Sequence, residues 1–258
     1  MSRGRVRIED GLKRVRVYLD GEVVADTTEV KLVWEKPYYP VYYFPEDDVR
    51  LERLTPSGRA ERSPSRGTVE HFDVEGSRRV AAEAAYRHPD SPLEELRGLV
   101  AFRWDAMDAW FEEDEEVFVH ARDPYTRVDV LASSRHVRVE VGGVPVADSR
   151  NGRFLFETGL PVRRYLPKTD VRMDLLRPTE TVTRCPYKGT AEYWSVVVGD
   201  QVFEDLAWSY PAPFAESAGV AGLISFYDEK VDVYVDGVLQ PRPQTIFSAG
   251  KATGESAA

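Results

Sequence analysis

The sequence predicts a mainly β protein made of two tandem copies of one compact antiparallel domain, with few short helices. Three observations carry this. Motifs recur at a fixed spacing, strand-type alternation dominates, and turn dipeptides punctuate it. Val24-Ala25-Asp26 returns as Val146-Ala147-Asp148, Trp34-Glu35 as Phe156-Glu157, and Asp48-Val49-Arg50 as Asp170-Val171-Arg172, each 122 residues on (146−24, 156−34, 170−48). A period this long is duplication of a whole domain, since solenoid units run about 20–50 residues. The 258 residues then divide into halves that can each bury a core. The expected boundaries are residues 1–120 for the first copy, 121–134 for a linker, 135–248 for the second copy and 249–258 for a disordered tail of small and polar residues.

Each element has a local signature. Val15-Arg16-Val17-Tyr18-Leu19 alternates, Asp20-Gly21 turns the chain, and Glu22-Val23-Val24-Ala25 continues, which reads as a hairpin. The second copy repeats it as Val137–Val141, Gly142-Gly143 and Val144–Ala147. Further alternation at Val171–Leu175 and at Val231–Val235, before Asp236-Gly237, adds strands. The alanine-rich stretch from Arg79 to Arg87 has helical propensity. Its counterpart, Val202–Trp208, has strand character, so an extended segment is expected in both. Pro37, Pro40 and Pro45, with Pro161 and Pro167 in the second copy, predict edge or loop segments because proline donates nothing to a ladder. After Phe102 the first copy reads as carrying an insert, about 103–116. The spacing of Trp104, Met107, Trp110 and Phe111 fits one face of a short helix, followed by an acidic run. Such a helix would dock between the domains or offer a lid or protein-partner patch.

Composition excludes several classes. A net charge of −10 argues against a nucleic-acid binder, which needs a basic face. One cysteine allows no intramolecular disulfide and no cysteine-based zinc site. No apolar run reaches the roughly 20 residues that span a bilayer, and Met1–Val6 lacks the apolar core of a signal peptide, so a cytoplasmic protein without membrane or cofactor is expected. Phosphate-loop, dinucleotide-binding, zinc-protease and nucleophile-elbow motifs are absent.

Chemistry concentrates at Cys185-Pro186-Tyr187-Lys188-Gly189. Proline presets a turn and glycine relieves it, placing Cys185 and Lys188 at its two ends. An ammonium near a thiol favours the reactive thiolate, although a lone cysteine is also commonly a small buried apolar residue. The first copy has Ser63-Pro64-Ser65-Arg66-Gly67 there, keeping the cation and losing the sulfur. That fits an anion-binding cation in both halves, or a first copy that has lost its activity. Around the turn, Glu157, Tyr165, Tyr187, Glu192, Tyr193, Trp208 and Tyr210 are candidate ligand-binding residues, with Cys185 and Lys188 as candidate catalytic ones. Three functions stay open: binding of an anionic small molecule, an enzyme using Cys185 with Lys188 as activator, and a structural or protein-interaction module.

Taken together, Val-Ala-Asp, the aromatic-Glu pair, Tyr165-Leu166-Pro167, Thr183-x-Cys185-Pro186-Tyr187-Lys188-Gly189-x-Ala191-x-Tyr193, Ala207-Trp208-Ser209-Tyr210 and Gly222–Tyr227 resemble the bacterial domain-of-unknown-function 427 family. Residues 137–237 look like a full member and residues 15–120 like a diverged one. The resemblance implies an antiparallel β-tent domain. The family is also labelled nucleotidyltransferase-like, but that chemistry needs two carboxylates on one strand to hold magnesium. No such acidic-apolar-acidic triplet follows Gly142-Gly143.

Overall fold

The computed structural model describes residues 6–245, 247 and 248. The expected tail at 249–258 lies outside them. The chain divides into two compact units between Asp123 and Pro124.

The first unit contains β1 (Arg7–Asp10), β2 (Val15–Leu19), β3 (Glu22–Thr27), β4 (Lys31–Trp34), β5 (Val41–Pro45), β6 (Leu54–Ser63), β7 (Gly67–Glu75), β8 (Val80–Arg87), β9 (Leu99–Phe102), β10 (Ala109–Glu112) and β11 (Glu115–Val117). They form an antiparallel seven-stranded sheet, β1-β4-β5-β9-β8-β7-β6, and a four-stranded sheet, β11-β10-β2-β3. The second unit contains β12 (Val128–Ser133), β13 (Val137–Val141), β14 (Val144–Ser149), β15 (Gly152–Glu157), β16 (Arg163–Tyr165), β17 (Leu176–Cys185), β18 (Gly189–Val198), β19 (Gln201–Ser209), β20 (Ser225–Phe226), β21 (Asp232–Val235) and β22 (Val238–Leu239). Its sheets are β12-β15-β16, β17-β18-β19-β20 and β14-β13-β21-β22. The first two are the seven-stranded sheet of the first unit cut at one junction, where a bridge between Leu166 and Ile224 still joins β16 to β20.

The hairpins form as their turn residues dictate. Asp20 and Gly21, Gly142 and Gly143, and Asp236 and Gly237 all have positive φ at both central positions, the backbone that matches strand twist. Alternation in β2 and β13 becomes alternating burial, with Val15, Val17 and Leu19 in one core and Val137, Val139 and Val141 in the other. The alanine-rich stretch is indeed extended. β8 and β19 each carry one left-handed residue, Glu83 (φ 49°) and Asp205 (φ 48°), beside a register shift of the neighbouring strand. The Asp205 carboxylate accepts Thr179 Oγ1 and Thr181 Oγ1, both at 2.7 Å, which secures that irregularity.

The strand expected at Val171–Leu175 is an isolated bridge at Val171 followed by a 3-10 turn at Met173–Leu175. Three further expectations are corrected. Residues 104–111 form no amphipathic helix. Trp104–Ala106 is one 3-10 turn, and Ala109–Glu112 is a strand pairing with β2. Trp110 is buried and stacks on Trp104 with centroids 4.5 Å apart, Met107 is buried, and Phe111 is half-buried. Nor is the segment a large insert. Glu112 pairs with Val15 as Val235 pairs with Val137, and the β10–β11 hairpin repeats the β21–β22 hairpin at an offset of 123 (235−112). The copies therefore differ by one residue before this strand.

Second, β5 is no edge strand. It lies between β4 and β9 with Tyr42, Tyr43 and Phe44 buried, because Pro40 precedes it and Pro45 ends it, so neither proline removes an interior donor. Third, the stretch 121–134 is more than a connection. β12 lies within it and pairs along its length with β15.

Candidate functional site

The β17–β18 hairpin presents Pro186-Tyr187-Lys188 as its connection, with Cys185 facing Gly189 across the last pair. Gly189 has φ +98°, a region side chains rarely enter, and a Cβ there would meet the Ala212 carbonyl at 3.4 Å. The tip is pinned from the chain after β19. Phe214 N–H donates to the Lys188 carbonyl at 3.2 Å, and Ser217 Oγ donates to the Tyr187 carbonyl at 3.2 Å.

This geometry turns Lys188 inward. Its ammonium pairs with the Glu157 carboxylate at the end of β15, and both side chains are nearly buried, at 11% and 7% exposure. Burial works against the ammonium, yet the Cys185 sulfur and the Glu157 carboxylate outweigh it and hold Lys188 above its ordinary value. Cys185 is half-buried, and its sulfur acts electrostatically on that ammonium.

Aromatic residues close the site. Trp208 Nε1 donates to Tyr165 Oη at 3.0 Å, and both rings are buried. Tyr193 Oη lies 2.9 Å from Thr183 Oγ1 and 3.3 Å from Tyr227 Oη. Burial raises the phenols of Tyr165 and Tyr210. Glu157 and Cys185 act on both in the same direction, so these groups share one electrostatic neighbourhood. Tyr187 is half-buried at the hairpin tip.

Thus Cys185, Lys188, Glu157, Tyr165, Tyr193, Trp208 and Tyr210 come together. Glu192 does not. It is exposed between buried Ala191 and Tyr193, because successive side chains of a strand point to opposite faces. Two contributors were not among the candidates. Tyr227 joins through its contact with Tyr193, and its ring lies 4.6 Å from that of Trp208. Arg163 lies over the Trp208 and Tyr227 rings, held by two hydrogen bonds to Glu229 at 2.7 and 2.6 Å. Tyr227 was legible only as part of a motif. Arg163 and Glu229, 66 residues apart, gave no sequence signal of their pairing.

The first unit builds the same arrangement from other residues. Arg66 Nη1 lies 3.0 Å from Glu35 Oε2. Glu35 Oε1 accepts Tyr43 Oη at 2.5 Å and Tyr86 Oη at 3.0 Å. His88 Nε2 lies 3.0 Å from Tyr43 Oη. Glu35, Tyr43, Arg66, His71, Tyr86 and His88 stand where Glu157, Tyr165, Lys188, Tyr193, Trp208 and Tyr210 stand in the second unit. The cation-carboxylate pair thus survives a change in every side chain of this set but the glutamate and one tyrosine, Tyr43 in the first unit and Tyr165 in the second.

A separate open cleft of about 620 Å³ in the second unit is lined by Ser133, Ser134, Arg150, Asn151 and Arg153 among others. Its lining holds no carboxylate, thiol or imidazole and includes neither Cys185 nor Lys188. Among the described residues, no group of three or more His, Cys, Asp or Glu is placed to hold a metal ion.

No curated protein matches the chain. A family described as a domain of unknown function (DUF427) matches it twice, over residues 7–113 and 129–237. Each match spans most of one unit, from its first strand to the turn after β10 or β21. By these two matches, the chain belongs to the DUF427 family as a tandem pair.

Proposed function

We propose that the second unit binds a small molecule whose anionic or strongly accepting group shares the Lys188 ammonium. An ammonium has three protons to donate. Glu157 takes one, which leaves donor capacity for a ligand. Tyr165, Tyr193, Trp208 and Tyr210 would supply apolar contact and hydroxyls, and half-buried Cys185 and Tyr187 mark the way in.

One observation carries this reading. The cation-carboxylate pair occurs at the same place in both units although lysine in one is arginine in the other. Buried ion pairs stabilise a fold no better than well-packed apolar residues, and often less. Keeping such a pair twice, with different cations, fits a binding role. The wider reading takes each unit as a β-tent and the protein as bacterial and cytoplasmic, where a free thiol such as Cys185 stays reduced.

Thermal-shift screening of small carboxylic acids, phosphate esters and neutral amides tests the proposal, since a ligand that binds the native state raises its midpoint. Lys188→Met should abolish the shift of the best ligand. A shift of the same size in that variant would remove the ammonium from the reading.

A second reading is favoured by the half-exposed sulfur beside an ammonium, namely that Cys185 is a nucleophile or redox centre. Alkylation by iodoacetamide, in which sulfur displaces iodide, would then slow several-fold in Lys188→Met at neutral pH. An unchanged rate would count against it.

A further inference from the structure

Buried polar atoms are almost always hydrogen-bonded, so a cluster that is not has a reason. In the first unit, Arg66 Nε and both ring nitrogens of His71 are buried without a hydrogen-bond partner. They belong to one neighbourhood. The His71 and Tyr86 rings lie 6.2 Å apart, and Tyr86 Oη donates to the same Glu35 carboxylate that Arg66 holds. A Glu61 carboxylate oxygen lies 3.9 Å from His71 Nε2, beyond hydrogen-bond distance. His88 Nδ1 is also buried without a hydrogen-bond partner.

The chemistry of these groups selects the ligand. A guanidinium only donates, and an imidazole offers at least one N–H. Glu35 already accepts from Tyr43 and Tyr86 and pairs with the Arg66 charge, so its acceptor capacity is largely used. What is left over includes the Arg66 Nε–H and at least one His71 N–H, and the complement of buried donors is an acceptor carrying charge. A metal cation is disfavoured by the guanidinium at the same place.

We propose that the first unit is a second, chemically distinct binding site, which takes a small oxyanion, a carboxylate or a phosphate, between the Arg66 guanidinium and the His71 imidazole. The substitutions that separate this copy from its twin then read as a change of ligand. Serine replaces the thiol, arginine the lysine, and histidines replace Tyr193 and Tyr210. Each of the last three brings nitrogen donors where the twin has fewer or a phenol. The inference stands independently of the second unit's role, because it rests on other residues.

The test is a titration of the full chain, labelled with ¹³C in its histidine rings, against inorganic phosphate and separately against acetate at constant ionic strength and pH 7. One or both anions should move the His71 resonances to saturation and leave His136, in the second unit, in place. Saturation by phosphate alone assigns the phosphate class, and by acetate alone the carboxylate class. Arg66→Lys, which installs the twin's residue and keeps the charge, should weaken binding at least tenfold. As a second measure, His71→Gln should abolish the heat of binding in calorimetry. No saturable movement of His71 with either anion, or the same curve in Arg66→Lys, overturns the proposal.

Discussion

Glu157 and Lys188, 31 residues apart, form an ion pair within the second unit with almost no exposure to solvent. The strand end of β15 supplies the acid and the hairpin tip supplies the base, so the pair ties two separate ladders together. Removing one partner strands the other charge away from water. Glu157→Gln or Lys188→Met alone should each destabilise the second unit by about 3–5 kcal/mol, whereas the double replacement Glu157→Leu with Lys188→Met should recover most of that loss. Denaturant midpoints of the four proteins check this. Additive single effects would mean the two side chains do not interact.

His88 makes stability depend on pH. Burial, and then the nearby Arg66 charge, hold its pKa below the ordinary 6.5. A base whose folded value is depressed contributes fully above its unfolded value of about 6.5 and loses that contribution as pH falls through the folded value. Wild type should therefore lose stability relative to His88→Tyr, the second unit's residue, on going from pH 8 to pH 5. Parallel urea-midpoint profiles for the two proteins would contradict this.

Trp110 is a core residue of the first unit, so its removal should act on folding. Trp110→Ala should cost about 3–5 kcal/mol, the range for large aromatic truncations. Thermal unfolding followed by circular dichroism measures it. A change below 1 kcal/mol would return the residue to the surface role that its spacing suggested.

Asp205 holds a left-handed backbone and accepts both Thr179 and Thr181. Asp205→Gly should keep the conformation and lose only the side-chain bonds, while Asp205→Val should lose both and be the less stable by about 1–3 kcal/mol. Equal stabilities would show that the backbone carries no strain there.

Much of this was legible in the chain itself. The duplication, the three positive-φ hairpins and the extended form of the alanine-rich segment follow from spacing, turn chemistry and comparison of the copies. The convergence of Glu157, Tyr165, Lys188, Trp208 and Tyr210 could be guessed from motifs, because both copies carried counterparts at each. Three things were not legible. Trp104, Met107 and Trp110 have a spacing that serves a helix and a turn-plus-strand equally, and only the ladder with β2 decides. Prolines at the two ends of β5 look like breakers until the neighbouring strands are known. Lys188 looked like a free cation, and its partner Glu157 was recognisable only as another candidate, since pairing across the fold leaves no local trace.

Among the described residues, no ladder joins strands from opposite sides of Asp123. Each twin closes its own backbone bonding and keeps its own interior. Drift at one hairpin tip, from sulfur to hydroxyl or from ammonium to guanidinium, therefore leaves the bonding of the other untouched. A gene carrying such a pair can explore new specificity in one half while the other goes on doing its original job.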